Sequence, residues 1–178
     1  MATDRLAPLD WSVLPSDHAL IALGSNLPSP IHGESRLVLD AALKRLGDYG
    51  IKVIAVGQYY QTEPDPPSDQ PNYVNSAALV ASPFTPRELL VRLHEIEAEF
   101  GRHRQVRNEA RILDLDLLAF GAEVITPESE SESELTLPHP RLHQRLFVLQ
   151  PLNDILPHWF HPTRSKTIAE MMAHLQNR

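Results

Sequence analysis

The chain predicts an α+β domain, a ferredoxin-like βαββαβ sandwich with a four-stranded antiparallel sheet and additional C-terminal helices. Three observations predict it. Strand-like runs at residues 19–23, 51–60, 73–81 and 112–120 are short, and rich in β-branched or aromatic side chains or alternating in polarity. Helical stripes separate the first run from the second and the third from the fourth. Only a proline-rich connection lies between the second and third, which leaves no room for a helix there.

Taken in order, Ala19-Leu20-Ile21-Ala22-Leu23 is an apolar run closed by Gly24-Ser25-Asn26, the first strand and its turn. Leu39, Ala42, Leu43 and Leu46 then recur at i, i+3, i+4 and i+7, one face of a helix that Gly47 or Gly50 stops. Ile51 to Tyr60 reads as the second strand, and four prolines from there through Pro71 force an extended loop. Tyr73 to Ala81 places Tyr73, Asn75, Ala77 and Leu79 on one face and Val74, Ala78 and Val80 on the other. Thr85-Pro86-Arg87-Glu88 is a capping box with proline at the first helical position, and Leu89, Leu93, Ile96 and Phe100 form the stripe before Gly101.

After an arginine-rich loop from Arg102 to Arg111, Ile112 to Phe120 is the fourth strand, with Leu113, Leu115 and Leu117 facing one way and Asp114 and Asp116 the other. Glu128 to Glu134 is an acidic Ser/Glu tract, read as a solvated loop. Pro140 to Leu149 and Ser165 to Leu175 read as two further helices, the second striped by Ile168, Met171, Met172 and Leu175. Residues 1–17 lack a clean period and form an N-terminal extension; residues 18–178 make one domain.

Composition narrows function. At 178 residues with 42% hydrophobic and 22% charged side chains, a packed core is expected. A net charge of −7 argues against a basic nucleic-acid footprint. No cysteine means no disulfide, thiolate zinc site or thiol nucleophile, which fits a reducing compartment, and the cytoplasm is expected. No apolar run approaches a membrane span, so no membrane association is expected.

The sharpest feature is Asp114-Leu115-Asp116, whose period of two points both carboxylates to one side, suited to a hard cation such as Mg²⁺ or simply to water. Arg102, Arg104, Arg107 and Arg111 lie just upstream, and in an acidic protein they suit either a phosphate or surface ion pairs. His139 and His143 stand four apart, but zinc is disfavoured without a third ligand; His139 with Arg145 suits nucleotide phosphates better. Tyr73, Asn75 and Phe147 are either core or a slot for a flat heterocycle. Neither a P-loop nor a G-x-S-x-G elbow occurs.

Together these residues resemble the 6-hydroxymethyl-7,8-dihydropterin pyrophosphokinases of folate biosynthesis. The resemblance runs through Ile21-Ala22-Leu23-Gly24-Ser25-Asn26, Tyr60-Gln61-Thr62-Glu63-Pro64, Asp69-Gln70-Pro71-Asn72-Tyr73-Val74-Asn75, Glu97, Gly101-Arg102-His103-Arg104, Arg111 to Leu118, and Leu137-Pro138-His139-Pro140-Arg141 through Arg145, Phe147 and Pro151-Leu152. It covers about residues 18–162.

The resemblance implies transfer of pyrophosphate from ATP, the co-substrate, to the pterin hydroxyl, releasing AMP, with two Mg²⁺ ions. It implies metal ligation by Asp114 and Asp116, with Asp114 helping to draw off the hydroxyl proton. It implies catalytic phosphate contacts from Arg102 and Arg111, and nucleotide contacts from Glu97, Arg104, Arg111, His139 and Arg145. For the pterin it implies Tyr73 and Phe147 as ring partners, Asn75 as the hydrogen-bonding amide, and Thr62, Pro64 and Asp65 along the backbone. A monomer acting on small molecules, without nucleic acid, is expected. Asn108 and Glu109-Ala110 depart from the family's usual arginine loop, and Glu109 sets a negative charge beside it. The rival readings are an inactive pterin- or nucleotide-binding homologue and a ferredoxin-like nucleic-acid module.

Overall fold

The computed structural model describes residues 8–101, 110–127 and 135–177. Strand β1 (His18–Ser25) runs through the middle of a sheet ordered β2-β4-β1-β5, with β4 (Tyr73–Ala81) and β5 (Asp114–Phe120) on either side and antiparallel to it. Helices α1 (Ser35–Asp48) and α2 (Pro86–Glu99) cover one face. This is the predicted sandwich, built from the predicted crossovers.

The second strand differs from the expectation of one run over Ile51–Tyr60. It is broken into β2 (Lys52–Val56) and β3 (Tyr60–Thr62), which pair in succession along the same edge of β4. Gly57 sits at the break, its N–H donating to the Ala77 carbonyl at 2.8 Å. Helix α3 (Leu146–Ile155) crosses so closely that a Cβ on Gly57 would lie 2.3 Å from the Pro151 carbonyl oxygen. Asp154 of α3 then ties down the far side, accepting from the Gln58 N–H at 2.9 Å and the Tyr60 hydroxyl at 3.0 Å.

The faces of the sheet divide as the alternation predicts. Val38, Leu39, Ala42 and Leu46 of α1 and Leu89, Leu93 and Ile96 of α2 pack with Ile21, Leu23, Val80, Leu115 and Leu117. On the opposite face Leu20, Ala77 and Leu79 meet Val148, Leu149 and Leu152 of α3 and Ile168 and Met171 of α4 (Ile168–Gln176). Strand β5 changes parity midway, because Ile21 pairs with Leu117 while Leu20 pairs with Ala119. This bulge leaves Leu118 over and returns Phe120 to the face of Leu117.

The α2 capping box is present, with Glu88 N–H reaching Thr85 Oγ1 and Glu88 Oε2 accepting from Thr85 N–H. Helix α1 runs through Gly47 and ends before Gly50, whose φ of 79° is the left-handed conformation a helix stop uses. The helix expected over Pro140–Leu149 is instead a 3₁₀ turn, Leu142–Gln144, followed by α3 beginning at Leu146. Arg145 between them has extended backbone, φ −116° and ψ 100°, which breaks the helix there. The last helix starts at Ile168 rather than Ser165, since Thr167 and Glu170 form a second capping box and residues 160–161 and 166–167 make a small hairpin. Residues 9–14 lie against α3 and its end, with Leu9 N–H on the Ile155 carbonyl and Leu14 buried. Among the described residues no helix is long and apolar enough to cross a membrane.

Candidate functional site

Register places the polar side chains in rows across the α3-facing side of the sheet. Gly24 of β1 lies opposite Asn75 of β4 on one side and Asp114 of β5 on the other; one row further in, Ala22 lies between Ala77 and Asp116. With no side chain at Gly24 and only a methyl at Ala22, the central strand forms the floor of a trough. A Cβ on Gly24 would stand 3.1 Å from Asn75 Oδ1 and 3.9 Å from both Tyr73 and the Asp114 Cβ. Gly24, expected only to close a strand, is therefore a floor residue inside β1.

One wall holds Tyr73 and Asn75. Asn75 is buried, and its Nδ2 donates to Thr62 Oγ1 at 2.7 Å across the β3–β4 pair. That bond fixes the amide orientation and leaves Oδ1 toward Gly24, an acceptor facing the trough. Pro64 is half-buried and Asp65 exposed on the loop that follows β3.

The other wall carries the two carboxylates, both partly exposed. Arg111 Nη1 lies 3.0 Å from Asp114 Oδ1, and Arg145 Nη1 lies 3.7 Å from Asp116 Oδ2. Burial pulls the Arg111 pKa down, but Asp114, Tyr73 and Asp116 outweigh it and leave it raised. Arg145 goes the other way: burial lowers its pKa, Arg141 adds to this, and Asp116, Asp114 and Asp65 only partly compensate. The extended backbone at Arg145 turns the chain so that its guanidinium stands 5.6 Å from the Phe147 ring while still reaching Asp116.

His139 is pinned by its backbone N–H to the Leu118 carbonyl at 2.7 Å, and its Nδ1 accepts from the Arg141 N–H at 3.1 Å. Burial first, then Arg145 and Arg141, push its pKa down to about 4. It is a neutral imidazole at pH 7 with Nε2 carrying the proton, a donor rather than a charge. His143 stands near enough to His161 for its charge to lower that ring's pKa, and among the described residues no three or more His, Cys, Asp or Glu side chains are placed to share one metal ion.

Asp114, Asp116, Arg111 and Arg145 are thus brought together with His139 nearby, across Gly24 from Tyr73, Asn75 and Thr62, and Phe147 lies beside Arg145. Glu97, expected at the nucleotide, lies beside the strand that carries both aspartates. It is 1% exposed on α2, under the opposite face, and its Oε1 accepts from the Leu115 N–H at 2.7 Å. β5 is a sheet edge, and Glu97 satisfies the backbone donor between the two aspartates there. Arg102, Arg104, Asn108, Glu109 and the tract Glu128–Glu134 lie outside the described residues. Asn26, expected in the turn that closes the first strand, is buried and hydrogen-bonded to two loops at once.

A sequence model of the 7,8-dihydro-6-hydroxymethylpterin-pyrophosphokinase family matches residues 20–157. The chain is similar to the 2-amino-4-hydroxy-6-hydroxymethyldihydropteridine pyrophosphokinase of Haemophilus influenzae, 41% identical over 77% of this chain and 80% of that protein. It is also similar to the folic acid synthesis protein fol1 of Pneumocystis carinii, 37% identical over 84% of this chain but only 19% of that longer protein. Among solved structures, a Plasmodium falciparum HPPK-DHPS protein superposes with a TM-score of 0.73 at 17% identity, over 90% of this chain and 44% of that one, a likeness of fold.

Proposed function

The chain belongs to the 7,8-dihydro-6-hydroxymethylpterin-pyrophosphokinase family, and from that premise we propose that it transfers the pyrophosphoryl group of ATP to the hydroxymethyl oxygen of 6-hydroxymethyl-7,8-dihydropterin in folate synthesis. The observation that carries the reading is the trough itself, with one apolar and amide-bearing wall for a flat ring and one wall of paired carboxylates and arginines for polyphosphate.

In the reaction the pterin oxygen forms a bond to the β-phosphorus, the bond from that phosphorus to the oxygen bridging it to the α-phosphorus breaks, and AMP leaves with the bridging oxygen. The hydroxyl proton goes to the Asp114 carboxylate and on to water. Phosphoryl transfer needs position and charge balance more than covalent help. Asn75, oriented by its Nδ2 bond to the Thr62 hydroxyl oxygen, accepts through Oδ1 from the N–H groups of the pterin ring, and the backbone of residues 62–65 adds further polar contacts. Tyr73 and Phe147 stack on the ring faces. Arg111 and Arg145 hold phosphate oxygens, His139 donates through Nε2 without adding charge, and Arg102 and Arg104 complete the nucleotide contacts. Glu97 acts by positioning: it fixes the strand backbone between Asp114 and Asp116.

Two oxygen-donor carboxylates on one strand face suit Mg²⁺, which takes one or two protein carboxylates and completes its shell with phosphate and water. The arginine partners of both carboxylates show that this wall already accommodates positive charge. Asp114 and Asp116 would hold the ions, which when bound offset the charge that builds on the transferring oxygens. Two Mg²⁺ ions, a monomeric chain and a cytoplasmic setting belong to the same reading; the lack of cysteine supports the last.

The test is chromatography of nucleotides after incubation with ATP, Mg²⁺ and the pterin. AMP formed only when the pterin is present is the expected result; ADP, or AMP without pterin, would overturn the reading.

A further inference from the structure

We infer that Asn26 is a positioning residue that sets the pterin loop and the phosphate-binding arginine in register with each other. The inference rests on the function proposed above for the two walls.

The topology explains why one residue can do this. β4 and β5 flank β1 and run antiparallel to it, so the chain segments leading into both begin beside the end of β1. The residue just past that end stands between the proline loop, which leads into β4, and Arg111, which leads into β5. Asn26 occupies that place and is 2% exposed. Its Nδ2 donates to Gln70 Oε1 at 3.1 Å and to the Pro71 carbonyl at 3.2 Å. Its Oδ1 accepts from the Arg111 N–H at 2.8 Å, and its own N–H returns a bond to the Arg111 carbonyl at 3.1 Å. Leu27 N–H adds a second bond to that carbonyl at 3.2 Å.

The side chain is therefore used at both ends of its amide, and the two ends serve different walls. Only asparagine supplies a donor and an acceptor at this reach; alanine supplies neither, and aspartate supplies only the acceptor. In Asn26→Asp the bond from Arg111 N–H survives. Gln70 can rotate to offer its own amide N–H, but the Pro71 carbonyl can only be repelled by the carboxylate.

The two variants separate a tie from mere packing. Asn26→Asp should raise the KM for pterin about 5–10-fold, with kcat and the KM for ATP within about threefold of the parent; Asn26→Ala should do the same to pterin and also lower kcat about 10–100-fold, as misplacement of reacting groups by about an ångström does. Hydrogen exchange of the intact proteins without substrates gives the arm that does not depend on turnover. Asn26→Asp should speed exchange across residues 63–72 alone, and Asn26→Ala there and at Arg111, with Ala77–Leu79 in the centre of β4 unchanged. Equal loosening of β1 and β4 would reduce Asn26 to a packing residue and overturn the inference, as would loops that exchange like the parent's in Asn26→Ala. If the parent protein makes no pterin-dependent AMP yet shows the expected exchange pattern, the functional reading fails while the tie stands.

Discussion

Replacing Gly57 by alanine tests how the break in the second strand builds the site. The added methyl would stand 2.3 Å from the Pro151 carbonyl oxygen and 2.8 Å from both its carbonyl carbon and its Cβ. Two of these three atoms are backbone, so no side-chain rotation relieves the contact. Bringing 2.3 Å to the roughly 3.4 Å at which such contacts become ordinary requires about 1 Å of separation between the strand break and α3. Overpacking of this kind costs about 1–3 kcal/mol. The same retreat stretches the bonds from Gln58 N–H and the Tyr60 hydroxyl to Asp154, adding about 1 kcal/mol. A total of about 2–4 kcal/mol corresponds, for a chain of this size, to a fall in Tm on the order of 5–15 °C. The function follows the helix, because α3 carries Phe147 in its first turn and Arg145 just before it. A shift of about 1 Å there should raise the KM for pterin roughly tenfold or more. Thermal melts and initial-rate kinetics on Gly57→Ala read both effects. Parent-like Tm and pterin KM would refute the close approach and the dependence of the ring slot on it.

Asp116→Ala should lower kcat by about 10³-fold or more while leaving nucleotide-free pterin binding within a few fold, measured by pre-steady-state rates and fluorescence titration; near-full turnover would remove Asp116 from the metal site. Phe147→Ala should weaken pterin by about 1–3 kcal/mol with a smaller effect on ATP, read by calorimetry. His161 is buried beside Trp159, and burial, then Arg164 and His143, push its pKa down to about 4, as burial and nearby arginines do for His139. Both are depressed below the unfolded value of about 6.5, so the unfolded chain binds more protons between about pH 6.5 and 4. Stability should be full above about pH 6.5 and fall as pH drops toward 4, by up to about 3 kcal/mol per histidine. Urea midpoints that do not change between about pH 7.5 and 5 would contradict this, and His161→Gln should remove part of the change.

Local chemistry made some elements legible. Tyr73–Ala81 alternates without interruption and is β4 residue for residue; the Thr85 capping box starts α2 where it says. The faces of Asp114 and Asp116 followed from period two, because the bulge that breaks the period lies after them, at Leu118. What stayed hidden depends on a second segment of chain. Nothing within residues 51–60 announces a break; Gly57 is needed because α3, about ninety residues later, crosses it. The extended Arg145 between two helical pieces carries no sign in a Pro-x-x-x-x-Arg spacing, and two-residue strands such as 160–161 and 166–167 are too short to show a period.

Side-chain destinations were the least legible part of the site. Strand register sets Tyr73 and Asn75 opposite Asp114 and Asp116 across Gly24 and Ala22, and Arg145 reaches Asp116 from beyond the sheet. Glu97, by contrast, lies on a helix position whose neighbours Leu93 and Ile96 are core, and it is buried with them. A helical stripe shows that such a residue faces inward, not which backbone group it meets. Ala22 and Gly24 read in the sequence as strand and turn; their smallness matters because they lie between the strands that carry Asn75 and the two aspartates, a relation that only the register reveals. Asn26 was visible as a turn residue, and its two loops come together only in the folded sheet.

The central claim is that an intact pyrophosphoryl group, rather than a single phosphoryl group, moves from ATP to the pterin in the trough. Phosphorus NMR of the purified pterin product tests it most directly. Two coupled phosphorus resonances on the pterin, with AMP as the remaining nucleotide, are the predicted result. A single phosphorus on the pterin, with ADP remaining, would contradict it.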